Sequence, residues 1–316
     1  MDKLSNQKIG VVIPFYHGDD FILKCIASLE NALLPENCTL QILIVDNNIS
    51  PSRHLEKIQK YNNIIYLKTK PAIGYGRACN IGAQKAIEID CDYLCLLNQD
   101  TLVDKNMIAK LLEVLLPEQN GLVCSPMIFN YDFSNPMEMV VTDYLLKNKT
   151  FLKDVFANKL KSSYEISTIG AACIIMHKTV VEKIGLFDPI LYLYGEDYDF
   201  FKRLKRVEGK LLVVPAAKLA RRASMNETNL QKKSQNKKLY EEAQLIKFVR
   251  YEKQKGYFKK VIKIAWIFLR NNKLNLFAQY LNSAFRIYLK SSQYTLPSDE
   301  LIKQRIVEYQ KKDVVL

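Results

Sequence analysis

Four short apolar runs, each leading into a polar or glycine-bearing turn and each followed by a stretch of helical spacing, limit how this chain can fold. They are 9-IGVVIPF-15, 40-LQILIVDNN-48, 64-IIYLK-68 and 93-YLCLLNQD-100. Runs this continuously apolar read as strands covered on both faces. Between the first two, residues 18–34 carry Phe21, Cys25, Ile26, Leu29 and Leu33 at helical spacing, and 52–60, 75–89 and 104–116 also read as helices. Such alternation predicts a parallel sheet with right-handed crossovers and ligands bound beyond the carboxyl ends of its strands. Later come strands at 121–129, 168–176 and 210–215, a polar stretch at 130–163 and a helix near 178–184, which predict a mixed rather than purely parallel sheet. From 221 onward only helices are expected, at 236–253 and as one or two within 257–290.

Polar side chains collect at the strand exits. Asp46 follows ILIV, and Asn98 and Asp100 follow YLCLL. One aspartate supplies only part of an octahedral Mg²⁺ or Mn²⁺ shell, which diphosphate oxygens and water can complete. Asp100 or Asp104 could instead cap a helix. The segment 71-PAIGYGRACNIGAQKA-86 follows a strand and opens a helix, the setting of phosphate-binding loops. Cys79 stands where the dinucleotide fingerprint has its third glycine, and no Walker lysine is present, so neither simple motif applies. Gly74 and Gly76 either meet a ligand or only shape a turn, and Gly82 lets the helix pack closely.

In 191-LYLYGEDYDFFKRLK-205, three carboxylates stand within four residues at the head of a helix. If Glu196 opens it, Asp197, Phe200, Phe201 and Leu204 share one inward face. Asp199, Lys202, Arg203 and Arg206 take the other side, where they are expected to be solvated, with Asp199 pairing Arg203 at i+4. Asp197 is then carried inward, which is costly for a charge unless it borders a polar pocket. Acids in a first turn also suit the helix dipole without any chemistry.

The 316 residues are 48% hydrophobic and 25% charged, as in a globular chain able to bury a core. MDKLSNQK leads into a short apolar run ending at a proline, so no signal peptide is read and the N-terminus is expected to stay in the cytoplasm. Seven scattered cysteines fit reduced core thiols, and the CxxxC of Cys91 and Cys95 lacks the second pair or nearby histidine that zinc would want. The net charge of +13 lies wholly in residues 221–316, which hold 21 Lys and Arg against 8 Asp and Glu. That asymmetry marks a boundary, and a basic segment can meet nucleic acid, anionic lipid or an acidic substrate.

As an ordered set, VVIPFYHGD, ILIVDNNIS, 70-KPAIGYGRACNIG-82, LLNQDT, 185-GLFDPILYLYGEDYDFFKRLK-205 and LVVPAAKLARRAS resemble glycosyltransferase family 2 over about residues 8–222. The likeness is strongest to the branch that includes bacterial rhamnosyltransferases. It implies a GT-A fold, a Rossmann-like nucleotide-binding mixed sheet flanked by helices, over residues 1–222, with a basic helical extension at 223–316. It also implies that Pro14, Phe15 and Tyr16 line the base pocket, that Asp46 touches the pyrimidine with Asn47 beside it, and that Gly76, Arg77 and Asn80 border the donor. Asn98, Gln99 and Asp100 would replace the family's DxD, with Asp100 as ligand to a divalent cation, Mg²⁺ or Mn²⁺. Asp197 would be the catalytic base, and Gly170, Tyr194 and Glu196 would lie on the acceptor side. Where the family often has a histidine after the last strand, this chain has Arg221 and then Arg222, candidates to neutralise the donor's diphosphate. The implied reaction is inverting transfer of a sugar, rhamnose first, from a nucleoside-diphosphate donor onto a lipid-linked saccharide or growing surface polysaccharide such as an O-antigen, at the inner face of the cell membrane. That chemistry needs one carboxylate to take the acceptor's proton and positive charge to stabilise the leaving group.

Two other readings follow from the same sequence. A nucleic-acid-binding protein would use the basic region and its aromatics, although carboxylates at the strand exits would repel phosphates. A nucleotidyltransferase or non-catalytic relative would bind a nucleotide sugar without transferring it. The segment 257–290 interleaves cations with Trp266, Phe268, Phe277, Phe285 and Tyr288, and its longest apolar run, IAWIFL, is far short of the roughly 20 residues that span a bilayer. It reads either as an in-plane amphipathic helix on anionic lipid or as a helical cap or contact between copies in a homo-oligomer.

Overall fold

Continuous apolar strands can be buried on both faces only if helices cover each side, and the computed structural model, which describes residues 6–50, 52–117, 121–170, 172–222, 230–251 and 256–315, has that form. The first part runs β1 (Gln7–Phe15), α1 (Asp19–Glu30), β2 (Cys38–Asp46), α2 (Leu55–Ile58), β3 (Ile64–Lys68), α3 (Tyr75–Glu88) and β4 (Tyr93–Leu97). The middle adds β5 (Thr101–Val103), α4 (Met107–Leu115), β6 (Leu122–Asn130), a π-helical turn at Val140–Leu145, α5 (Lys149–Phe156), β7 (Tyr164–Ile166), β8 (Cys173–His177), α6 (Lys178–Ile184), α7 (Glu196–Arg206) and β9 (Lys210–Arg221). The last part is α8 (Leu230–Tyr251), α9 (Tyr257–Arg270), α10 (Leu274–Leu289), α11 (Ser291–Tyr294) and α12 (Asp299–Asp313).

Among the described residues the strands form one nine-stranded sheet, ordered β3-β2-β1-β4-β8-β6-β9-β5, with β7 beside β9. The four strands expected to be parallel are parallel, whereas β8 runs antiparallel to both β4 and β6, so the sheet is mixed. Register brings the exits level: Phe15 pairs with Asp46, and Asp46 with Lys68. On α1 the buried face is Ile22, Cys25, Ile26 and Leu29, but the helix stops at Glu30 and Leu33, expected on that face, is exposed. Gly82 is where α3 crosses closest to the sheet; a Cβ there would run into Val12 and lie 2.9 Å from Val45. Six of the seven cysteines are buried, Cys38 is half-buried, and all are free thiols; burial pushes those of Cys25 and Cys124 up to about 12.

Helices α8 to α10 share a second, smaller core built on Leu245, Val249, Tyr257, Val261, Phe268, Tyr280 and Ile287. The two helices within 257–290 are α9 and α10, so aromatics at helical spacing do serve as core on their inner faces. Helix α12 lies beyond the helices expected from the sequence. Ser298 caps it by accepting from Leu301 N at 3.2 Å, with Asp299 and Glu300 in its first turn and Lys311 and Lys312 in its last. It turns back onto the first part of the chain: Gln310 donates to the Asn80 carbonyl, Val314 bridges Thr69, and Lys70 N donates to the Asp313 carbonyl.

Candidate active site

The strand exits are tied together by amide side chains. Gln99, just past β4, accepts from Tyr16 N at 2.8 Å and donates to the carbonyls of Tyr16 and His17 at 3.1 and 2.7 Å. His17 N in turn donates to Asn48 Oδ1 at 2.6 Å, joining the exits of β1 and β2. Asn47 continues the rim, its Oδ1 accepting from Ile73 N at 2.7 Å in the glycine loop, and Tyr192 OH donates to the Ala72 carbonyl at 3.0 Å. Gly74, with φ of +97°, leaves room for the Tyr192 carbonyl, which a Cβ would strike. A continuous rim therefore runs from NQD through the first two strand exits to the loop that leads into α7.

Pro14 and Phe15, expected to face a base, are buried in the core, so Tyr16 is the exposed member of that trio. Asp46 is fully buried and engaged: one oxygen accepts from Asn48 N and Nδ2 at 2.8 and 2.7 Å, the other from Tyr66 OH and, at 2.9 Å, from Lys68 Nζ. It builds the floor and orients Asn48, which the sequence reading did not single out although it lies in the same DNN run. Arg77 and Asn80 also differ from expectation. Arg77 donates to the Pro189 carbonyl at 3.0 Å, stacks 4.1 Å over the Tyr309 ring and faces Asp313. Asn80 is buried and exchanges two hydrogen bonds with the Phe187 backbone. Both side chains are spent on holding 187–189 and α12. Gly76 packs beside Phe187 and Glu196.

At the other end of the rim, Asp100 caps no helix; it precedes β5, a three-residue strand too short for periodicity to show. Nor does Asp104 take the cap position of α4, which is Asn106; Asp104 Oδ1 accepts from Asn106 N in a turn ahead of it. Pairing of β5 with β9 sets Arg221 opposite Thr101, which puts its guanidinium 3.5 Å from the Asp100 carboxylate. Arg222 donates its backbone N–H to the Asp100 carbonyl and lays its guanidinium over Phe21. Asn98 N donates to the Ala172 carbonyl and Ala172 N to the Gly170 carbonyl, while Asn98 Oδ1 is buried with no partner. Among the described residues no group of three or more His, Cys, Asp or Glu is placed to hold a metal ion. Asn98 Oδ1 and the Asp100 carboxylate are two oxygen donors, fitting a hard cation that takes its remaining ligands from a diphosphate and water.

The acid helix departs most from the amphipathic expectation. Gly195 enters it in the left-handed conformation and Glu196 opens it, as expected. Asp199 and Arg203 do pair, Nε to Oδ2 at 2.9 Å, but both are buried rather than solvated; Lys202 and Arg206 are exposed. Arg250 of α8 bonds Asp199 and, at 2.8 Å, Asp188, while Arg305 of α12 reaches the same Asp188 oxygen at 2.9 Å. Tyr251 OH donates to Asp199 at 2.7 Å, and Arg203 also donates to the carbonyls of Ile184, Gly185 and Leu186. Burial opposes ionisation of Asp199, but Arg203 and Arg250 outweigh it and hold the carboxyl below its ordinary value.

Asp197, expected to be carried inward, is only half-buried; Glu196 is buried instead, 7% exposed, with Oε2 unpartnered. Burial and the adjacent Asp197 charge push Glu196 up to about 8. Tyr194, at φ of +68° before the helix, edges onto Tyr240 and lines a cavity of about 280 Å³ between the 190–194 loop and helices α8 and α10.

A mixed sheet with polar strand exits facing an acid-headed helix is the GT-A arrangement, and the solved structures agree. GalNAc-T7, whose crystal structure contains UDP, GalNAc and Mn²⁺, superposes with a TM-score of 0.60 at 17% identity, over 81% of this chain and 50% of that one. TarS of S. aureus does so at 0.52 and 14%, over 88% and 44%. The family model for glycosyl transferase family 2 matches residues 10–185, and the chain belongs to that family. Its curated relatives include the low-salt glycan biosynthesis hexosyltransferase Agl10 of Haloferax volcanii, 23% identical over 52% of this chain and 53% of the relative. The dTDP-rhamnosyl transferase RfbF of Shigella flexneri is 21% identical over 68% and 69%. The chain thus spans about half the length of the first of these relatives.

Proposed function

We propose that the chain is an inverting glycosyltransferase that moves rhamnose from a dTDP donor onto a lipid-linked saccharide or growing surface polysaccharide on the cytoplasmic side of the membrane. Family membership supports sugar transfer, and the likeness to RfbF supports the donor. The observation that carries the mechanism is the placement, at the head of α7, of a buried Glu196 with Oε2 unpartnered next to a half-buried Asp197. Two adjacent carboxylates in different environments can divide the acid and base roles between them. Burial first, and then the neighbouring Asp197, favour the protonated form of Glu196, which assigns the base role to Asp197.

In the reaction, the Asp197 carboxylate takes the proton of the acceptor hydroxyl as its oxygen bonds to the sugar's anomeric carbon. The bond from that carbon to the diphosphate breaks on the opposite face, and the nucleoside diphosphate leaves with the electron pair. Glu196 donates a hydrogen bond to the acceptor or the sugar. Arg221 and Arg222 place positive charge where the leaving diphosphate gathers negative charge. A divalent cation held by Asp100 and Asn98 would supply further charge stabilisation there. The experiment is a panel of dTDP-, UDP- and GDP-sugars assayed for binding and for donor hydrolysis, with and without Mn²⁺. A chain that binds none of them is not a transferase of this kind.

A further inference from the structure

Helices α9 and α10 have two apolar faces, and only one is covered. Tyr257, Val261, Ala265 and Phe268 point into the small core with α8. On the adjoining face of α9, about 100° round the helix, Phe258, Ile262, Trp266 and Leu269 recur at helical spacing and are exposed, Ile262 at 67% and Trp266 at 56%. Phe285 and Leu289 do the same on α10, and the rings of Phe258 and Tyr288, 4.7 Å apart, join the two outer faces into one patch. Residues 257–290 contain seven Lys and Arg and no Asp or Glu.

We propose that this outer face docks on a bilayer surface bearing anionic headgroups, with α9 and α10 lying in the interfacial plane. A row of bulky apolar side chains among cations matches the layered chemistry of that interface, where aromatic rings sit at headgroup depth and lysines meet anionic lipid. No helix of the described residues is long and apolar enough to cross a membrane, which leaves the in-plane mode. A second copy fits poorly: an isologous contact would bring the cations beside this face, Lys259 and Lys263 among them, against their own copies, with no acid in 257–290 to pair them. Single-stranded nucleic acid would use the cations and the rings, but it would leave the aliphatic part of the patch, Ile262, Leu269 and Leu289, without an apolar partner. The surface chemistry stands apart from the transferase reading, so vesicle binding and sugar transfer can fail separately.

The chain's single tryptophan, Trp266, stands in the middle of the patch and makes the test direct. The full chain is titrated with vesicles of phosphatidylcholine alone and of phosphatidylcholine with about one third phosphatidylglycerol, following flotation, Trp266 emission and quenching by brominated acyl chains. Anionic vesicles should co-float the protein, blue-shift the emission and quench it; neutral vesicles should bind it at least about tenfold more weakly. Phe258→Ser with Ile262→Ser, both exposed and so compatible with folding, should abolish the quenching, and Lys259→Glu with Lys263→Glu should remove the preference for anionic lipid. An unshifted Trp266 with anionic vesicles overturns the proposal. So does a shift reproduced by dimerisation without lipid, or by single-stranded DNA.

Discussion

Glu196 and Asp199 stand about one turn apart on one helix, both buried, and their surroundings treat them in opposite ways. The side facing the C-terminal helices surrounds Asp199 with Arg203, Arg250 and Tyr251 and keeps it ionised. Beside Gly76 of α3, burial and the Asp197 charge push Glu196 up to about 8, and its Oε2 has no partner. Burying a carboxylate is expensive unless it is paired, so the paired acid reads as architecture and the unpaired one as a site held ready for a ligand. Helices α8 and α12, which follow the family fold in sequence, therefore help fix α7 and the segment before it, through Arg250 and Arg305.

The largest effect that could break this contrast lies on the paired side. Arg250→Ala leaves Asp188 and Asp199 each short of a buried cation and should destabilise the chain by about 3 to 5 kcal/mol in urea unfolding; a loss near 1 would mean the network is only packing. Next is Glu196→Gln. Below about 4.5 the carboxyl is protonated whether folded or unfolded; from there to about 8 only the unfolded chain gives up its proton, so wild-type stability falls as pH rises through that window. The amide removes this dependence and should stabilise by about 3 kcal/mol at pH 7, seen as a flatter stability curve against pH; a parallel curve would contradict the assignment. If the Glu196 proton is used, wild-type activity should also fall above pH 8, a limb that Glu196→Gln lacks. Arg221→Ala should weaken nucleoside-diphosphate binding by about 2 kcal/mol, the worth of a charge-assisted contact, measured by calorimetry with and without Mg²⁺; unchanged affinity in both would remove Arg221 from the donor site. The smallest effect is the control: Lys202→Ala, exposed on the same helix, should stay within about 0.5 kcal/mol of wild type.

Much of the fold was legible because continuous apolar runs admit few arrangements, and β1 to β4 lie where their residues put them, with Asp46, Asn98 and Asp100 at the exits. What the sequence hid is long-range. A helical wheel of 196–206 assigns Asp199 and Arg203 to water because nothing local shows that Arg250 and Arg305 will arrive to share their charge. Arg77 and Asn80 read as donor contacts until α12 and the 187–189 backbone occupy them. Strand β5 is three residues held by its pairing with β9, which no periodicity reveals. Helix α12 has a local signal, a capping serine after Pro297 followed by two acids, but no strong apolar stripe to go with it.

The central claim, that Asp197 is the base of a nucleotide-sugar transferase, is met most directly by assaying the donor panel on wild type and Asp197→Asn. One donor should bind both proteins equally while turnover falls by about a thousandfold in the variant. Turnover within a few-fold of wild type, with the donor still bound, would contradict it.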